Sequence, residues 1–510
     1  MDVKLNTIRL VWVLSLAGEI LNNAVSFAVF CVLDFVDFIL CFVYKAIDFW
    51  IESQWKPCYC SSAKQHIIEG DNILVSEDCE PKIVCLTSTK LQLEDISDTL
   101  YSRPSIVAQL SKFIVNYLYK TKKTTVTSTF TIDSTIVEML RGNVVPRWSD
   151  CDCKICNSWT SSSKDTLFVK AEGPKDKARE DVLFIHGLIS SSVFWTETLF
   201  PNFSTTVKST YRLLAVDILG FGRSPKPTDS LYTLREHVEM IEKSVLEAYQ
   251  VKSFHIVAHS LGCILALAIA VKQPGSIKSL TLLAPPYFPV PKGEPATQYI
   301  MRRIAPRRVW PVMAFGASIA CWYEHISRTF CLVICKNHRF WEFIIKFITR
   351  NRISFYNKKY KNTNKEKTMK PNEKTKQEYL SGKGENWWNE TFVSQLLDEN
   401  KIQYSRIRTY LLESFCCHTH NAGWHTFHNI ICGTAGKLDS YLDTVCNQLK
   451  CEVAIFHGGD DEVIPVECSY NVQRRIPRAQ VKVVENKDHI TIVVGRQKAF
   501  AKELEKIWQR

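Results

Sequence analysis

Three residues of this chain have the types and the order needed for nucleophilic acyl transfer: Ser260, Asp461 and His489. Ser260 lies in Ala258-His259-Ser260-Leu261-Gly262, between the apolar run Phe254-His255-Ile256-Val257 and the Ala-rich stretch Cys263 to Val271. A serine hydroxyl is a weak nucleophile at neutral pH. It needs a base to take its proton and an acid to orient that base. His489, in Asn486-Lys487-Asp488-His489 just after the apolar run Val481 to Glu485, is the expected base. The expected acid is Asp461, in Gly458-Gly459-Asp460-Asp461-Glu462-Val463-Ile464-Pro465. Its place three residues past Gly458 and ahead of an apolar-Pro pair selects it over Asp460. An attacked carbonyl also needs donors for its developing oxyanion. Those expected are the backbone N–H of Leu261 and one from the turn Gly187-Leu188-Ile189, beside His186.

Each group needs a rigid element behind it. Phe254–Val257 reads as a buried strand and Cys263–Val271 as a buried helix. A strand, a tight turn with a central Ser and a helix resemble the nucleophile elbow of the α/β-hydrolases. Ala258 replaces the usual first Gly of G-x-S-x-G, the mildest substitution available. Further strands are expected at Val182–Ile185, Arg212–Asp217, Ser279–Ala284, Cys451–His457 and Val481–Glu485, with an early one inside Asp165–Glu172. The order Ser, Asp, His is that of this fold and not of chymotrypsin or subtilisin. The fold class expected is therefore α/β: an α/β-hydrolase with a mostly parallel central sheet flanked by helices, a helical cap inserted before the acid strand, and an N-terminal hydrophobic helix. Asp217, in Asp217-Ile218-Leu219-Gly220-Phe221-Gly222-Arg223-Ser224, is expected to anchor its loop rather than to react. Ser260 excludes epoxide hydrolase or haloalkane dehalogenase chemistry, which would need Asp at the elbow.

The 510 residues divide into an N-terminal segment (1–51), a Cys-containing linker and small helical region (52–160), the first part of the core (161–286), a cap (287–446) and the second part of the core (447–510). Within the cap, 353–406 is rich in Lys and Asn and is expected to be a disordered insertion. The net charge of +12 comes without any nucleic-acid-binding module, so no nucleic acid partner is expected. Arg302-Arg303 and Arg307-Arg308 read as a solvated helix face, with contact to anionic lipid head groups or an acidic polymer as the alternative. Nineteen Cys are many for a cytosolic enzyme. Cys58, Cys60, Cys151, Cys153 and Cys156 are expected in disulfides in an oxidising lumen, with zinc ligation the alternative. His418, His420, His425 and His428, beside Cys416 and Cys417, are expected to be satisfied polar groups near the cleft, with metal ligation the alternative reading. No metal or other cofactor is expected. The cap aromatics Trp310, Phe315, Trp322, Tyr323, Phe330, Trp341, Phe343, Trp424 and Phe427 could bury an acyl chain or be the cap's own packing. Asn202-Phe203-Ser204 and Asn389-Glu390-Thr391 are glycosylation sequons.

At the amino terminus, Lys4 and Arg9 precede a short apolar run, Leu10 to Gly18, with the form of a signal-peptide core. Ala24 to Val43 is long enough to span a bilayer, but Asp34 and Asp37 interrupt it. On an insertion scale the two carboxylates cost roughly 5–7 kcal/mol against roughly 4–8 kcal/mol returned by the apolar residues, so spanning is near break-even. Asp34, Asp37, Cys41, Tyr44 and Asp48 share one helix face, a polar stripe on an otherwise lipid-facing helix. The segment is expected to be a secretory signal or membrane anchor, lying in the interface or self-associating. A helix docked on the core is the alternative.

Beyond these motifs, Leu21-Asn22-Asn23-Ala24-Val25-Ser26-Phe27 through Trp55-Lys56-Pro57-Cys58-Tyr59-Cys60 resembles the start of the plant BODYGUARD α/β-hydrolases. So do Trp148 to Cys156, Ala258 to Gly262, Cys416-Cys417-His418-Thr419-His420-Asn421 and Lys487-Asp488-His489-Ile490-Thr491. The resemblance runs through nearly the whole chain from about residue 21 and includes Ala258. It implies a lysophospholipase-like or carboxylester acyl hydrolase or transferase acting in cuticle formation, with Ser260, Asp461 and His489 as the triad and His186-Gly187 beside the oxyanion hole. With the N-terminal segment, the location expected is the secretory pathway, at the cell membrane or in the wall, and the substrate expected is a lipid or hydroxy-acyl ester. Two stretches depart from the family pattern. Residues 1–20 look like an extension, and the segment between Thr349-Arg350-Asn351-Arg352 and Arg406-Ile407-Arg408-Thr409-Tyr410 looks inserted. Translation of a retained intron is the leading reading of that insertion, a lineage-specific loop the other. A non-catalytic scaffold at the membrane or wall is the competing function.

Overall fold

In the computed structural model, the described residues are 2–52, 82–84, 90–92, 95–101, 148–150, 165–174, 178, 180–227, 230–338, 340, 341, 343 and 417–509. The Cys58–Cys60 and Cys151–Cys156 clusters, Cys416, the 353–406 segment and the Asn389 sequon lie outside them.

Seven strands form one sheet: β1 (Val169–Glu172), β2 (Glu180–Ile185), β3 (Tyr211–Val216), β4 (Phe254–His259), β5 (Ile277–Leu283), β6 (Glu452–Gly458) and β7 (Gln480–Val484). Their order is β1-β3-β2-β4-β5-β6-β7. Only β1 runs antiparallel, pairing Val169 with Val216 at the sheet edge. The others are parallel. Parallel strands are covered on both faces and so read as continuous apolar runs, which is how they stand out in the sequence. The period of two divides each run between two cores. Leu183, Ile185, Ile256, Leu280 and Ile455 face one. Val182, Phe184, Val257, Leu283 and Phe456 face the other. Helix α2 (Leu261–Lys272) closes the first and the C-terminal helix Gln497–Trp508, through Phe500, Leu504 and Trp508, closes the second.

Between β5 and β6 come α3 (Ala296–Ile304), α4 (Val312–Trp322), α5 (Glu324–Lys336) and α6 (His420–Thr426). In the region expected to be a small helical one, the described residues include a helix at Asp98–Tyr101. They also include an antiparallel pair, Lys82–Val84 with Lys90–Gln92, which the sequence did not announce.

One helix, α1, runs from Asp2 to Glu52. Ser26, Phe30, Asp34, Asp37, Cys41, Tyr44 and Asp48 are buried along one side of it. The polar stripe meets the cap, so that face of the helix is docked on the protein, as the alternative reading had it, while its apolar face stays open. Asp37 Oδ1 accepts from the backbone N–H of His325 (3.0 Å) and Ile326 (2.9 Å), the open first turn of α5. Asp48 holds Arg328 in a two-pronged pair at 2.7 Å on each prong, and Trp148 Nε1 donates to Asp48 at 2.6 Å. Asp34 meets Arg307 at 3.0 Å. Three carboxylates that would be costly in hydrocarbon each have a partner in the cap.

Candidate active site

The side chains singled out by type emerge at one edge of the sheet, where the parallel strands end. Ser260 follows β4 directly and is the N-cap of α2. Its backbone has φ 53° and ψ −122°, a region that a residue with a Cβ seldom occupies. Strain of this kind costs on the order of 1–3 kcal/mol and persists only where the surroundings enforce it. Here the enforcement is visible. Ser260 N donates to Leu283 O of β5 at 2.8 Å, and Cys263 N donates to Ser260 O at 2.9 Å. Gly262 lets α2 lie against β2, since a Cβ there would stand 2.6 Å from His186 O and 2.7 Å from Ile185 O. Ser260 is buried, with 8% of its surface exposed.

Asp461 follows β6 and His489 follows β7, and the two meet: His489 Nδ1 donates to Asp461 Oδ2 at 2.7 Å. The other carboxylate oxygen of Asp461 accepts from Val463 N (2.9 Å) and Ile464 N (2.8 Å). Burial alone would raise the Asp461 pKa. The hydrogen bonds from His457 and His489 outweigh it and hold the carboxyl well below its ordinary value. The adjacent Asp460 uses its backbone N–H on Lys487 O at 2.9 Å and is exposed. Nδ1 of His489 is thus committed to the acid, which leaves Nε2 as the nitrogen able to accept a proton.

Gly187 lies against the elbow, since a Cβ on it would come within 3.0 Å of Ser260 Cβ and 3.2 Å of His259 Nδ1. Leu188 and Ile189 continue that loop, half-buried, with Ile189 at φ 51°. His186 does a different job from the one its neighbourhood suggests. Its ring is buried, Nε2 accepts from Ile218 N (3.1 Å) and Nδ1 donates to Gly187 O (2.7 Å). It ties the loop after β2 to the loop after β3 and is kept neutral by burial, despite the nearby Asp217. Asp217 accepts from Ser192 N (2.5 Å) and Arg223 N (2.8 Å), and a Cβ at Gly222 would collide with its carboxylate at 2.2 Å. It is a loop anchor.

Two histidines with clear roles carry no sequence signal beyond their positions. His457, at the end of β6, lies 3.4 Å from Asp461 Oδ2 while bonding Ser469 Oγ (2.6 Å) and Ile464 O (2.8 Å). His259, beside the nucleophile, stacks on Phe194 and lies tilted against His489. Burial, then the neighbouring His489, drives its pKa down to about 3, so the ring is neutral.

In the cap, α6 lies on the loop after β3, where Ala422 Cβ would be 2.5 Å from a Cβ at Gly220. Three of the cap histidines have partners: His425 Nδ1 bonds Asn421 O within α6 (2.8 Å), His428 Nδ1 reaches Thr99 Oγ1 in the Asp98–Tyr101 helix (2.9 Å), and His418 stacks on Phe221. No group of three metal-ligating side chains forms among the described residues. The cap aromatics divide. Trp322, Tyr323, Trp424 and Phe427 are buried, whereas Trp310, Phe330 and Phe343 are on the surface.

A family model for the alpha/beta hydrolase fold matches residues 182–310. Among curated proteins, the probable lysophospholipase BODYGUARD 1 of Arabidopsis thaliana is 53% identical, over 96% of this chain and 97% of its own length. The probable lysophospholipase BODYGUARD 3 of the same plant is 52% identical, over 97% of each chain. The chain belongs to the BODYGUARD family. BODYGUARD 4 of Arabidopsis still covers 96% of this chain and 98% of its own length at 35% identity, so the likeness extends through α1, core and cap together.

Proposed function

We propose that Ser260, His489 and Asp461 form a catalytic triad that makes this chain a carboxylic-ester hydrolase. His489 Nε2 takes the Ser260 proton as Oγ attacks the ester carbonyl. Asp461 keeps the proton on Nδ1 in place and stabilises the imidazolium. The tetrahedral oxyanion is received by the backbone N–H groups of Leu261, at the N-terminus of α2, and Leu188. Collapse releases the alcohol with the proton from His489 and leaves the acyl group on Ser260. Water, or another hydroxyl, then attacks the acyl-enzyme with His489 again as base, and Oγ recovers its proton. The single observation that carries this reading is the 2.7 Å bond from His489 to an Asp461 whose remaining acceptors are filled.

The substrate class we propose is a lipid or cutin-type ester, in cuticle formation at the plant epidermal surface. The support is the family, whose members carry the name probable lysophospholipase, and the apolar α1 and cap. The segment α1 supports a secretory-pathway, membrane-associated or cell-wall location. Assay of purified full-length protein against lysophosphatidylcholine and ω-hydroxyacyl esters, with release of free acid as the readout, tests the proposal. Turnover lost in Ser260→Ala is the expected result. A folded protein that binds these esters without turning any over would instead favour a non-catalytic scaffold.

A further inference from the structure

From the way α1 meets the cap, we infer that α1 is a permanent part of the folded enzyme that lies flat in an anionic lipid surface, neither crossing the bilayer nor being removed from it. The occupant of its outer face is a bilayer, and the cleft beside it takes the anionic group of a lipid headgroup. The inference deepens the membrane-associated reading above and does not depend on the triad.

Three observations carry it. The first is the direction of the charges. From Ile20 to Tyr44, the only charged residues of α1 are Asp34 and Asp37, and both face the cap. The opposite side presents Val25, Val32, Phe35, Ile39 and Phe42, exposed from 43% at Val25 to 62% at Val32. Glu19 and Lys45 bracket the uncharged outer face. This is the division of an interfacial helix, with apolar residues to the acyl chains and polar ones away from them.

The second is geometry. Contacts to the cap begin at Asn22, whose Nδ2 reaches Trp310 O at 3.4 Å, and continue through Ser26, Tyr44 and Asp48. From Ser26 to Asp48 the helix rises about 33 Å, at about 1.5 Å per residue. That is the thickness of a hydrocarbon core, roughly 30 Å. A spanning α1 would have to take Arg307, His325 and Arg328 into the hydrocarbon with it or strip three carboxylates of their partners. Lying flat costs neither.

The third is a cleft of about 300 Å³ where α1 meets the segment between α3 and α4. Ser26, Phe27, Phe30, Asp34, Arg307 and Arg308 line it. Asp34 is its one carboxylate and is already paired with Arg307. Arg307 gives Nη2 to Asp34 and to the Tyr323 hydroxyl, while its Nε has no acceptor among the described residues. Arg308 is exposed, as are Arg302 and Arg303 on α3. Surplus guanidinium beside apolar rings suits a phosphate or carboxylate joined to acyl chains.

Flotation of the full chain tests this, with vesicles of phosphatidylcholine alone or with one-third phosphatidylglycerol. The full chain floats with both, more with the anionic ones. Phe35→Glu with Phe42→Glu lowers the floated fraction at least tenfold, and Arg308→Glu lowers the preference for anionic vesicles about fivefold. A tag ahead of Met1 remains on the bound protein and is cut, like a C-terminal tag, by protease added outside. Four results would overturn the inference: no flotation of the full chain, flotation untouched by the glutamate pair, a lipid-free dimer that the pair dissociates, or an N-terminal tag that bound vesicles protect. Fluorophosphonate labelling without lipid reads Ser260 separately, so failure of the surface and failure of the triad are distinguished.

Discussion

His259 holds the main chain of His489: its Nε2 donates to the His489 carbonyl at 2.9 Å, and the two rings lie 4.6 Å apart. The residue before the proposed nucleophile thereby fixes the loop that carries the proposed base. Because burial keeps His259 neutral, with a pKa pushed down to about 3, it does this without competing for the proton. His259→Phe keeps a ring against Phe194 but loses the donor. One neutral hydrogen bond is worth about 1 kcal/mol. Fluorophosphonate labelling is expected to slow about fivefold, with the pH profile unchanged above about pH 5. An unchanged rate would make the bond incidental.

Asp461→Asn leaves the shape and removes the charge. The analogous change in a serine protease triad lowers kcat by roughly 10⁴ because the imidazole turns to the wrong tautomer, and a fall of about that size in labelling rate is expected here. The same carboxylate links stability to pH. Its folded-state pKa is depressed below the ordinary value of 3.8, so its stabilising contribution is fully present above that value and drains away as pH falls below it. The Tm gap between the wild type and Asp461→Asn should therefore be constant from pH 5 to 7 and shrink below about pH 4. A gap that does not shrink below about pH 4 would contradict the depressed Asp461 carboxyl.

The outline of the fold was legible because parallel strands are written as uninterrupted apolar runs, and five of them lead within a few residues to one of distinctive type: His186, Asp217, Ser260, Asp461, His489. What was not legible is who meets whom. The stripe at Asp34, Asp37 and Asp48 showed as a face, but its partners Arg307, His325 and Arg328 lie 273 to 288 residues away, and helical period carries no such information. His259 was invisible for the same reason, its partner His489 lying 230 residues on, and His457 because nothing in the pattern shows a strand's last ring turning back onto the loop that follows it. Each acts through a neighbour on another strand or loop.

Gly262 tests the close approach behind the elbow. Gly262→Ala would press a methyl onto two carbonyl oxygens of β2 and its following residue, a cost of about 1–3 kcal/mol for overpacking. A lower Tm with slower labelling is expected. Gly275→Ala, with nothing within 4 Å of the added carbon, is the control and should leave both unchanged.

Asp48→Ala strands Arg328, buried with 6% side-chain exposure, beside Tyr44 and Trp148. Removing one partner of a buried pair costs roughly 3–5 kcal/mol. Thermal unfolding of the full chain in detergent should show cap and α1 melting earlier, and Asp48→Leu with Arg328→Met should recover much of the loss. If the single change is harmless, α1 is not integral to the cap.

Fluorophosphonate labelling of the full-length protein beside its Ser260→Ala variant tests the central claim most directly, with the modified residue located by mass spectrometry. The account predicts a single adduct on Ser260 that vanishes in the variant while the fold, read by circular dichroism, is retained. Adducts that persist equally in Ser260→Ala, or a well-folded wild type that takes up no label, would contradict it.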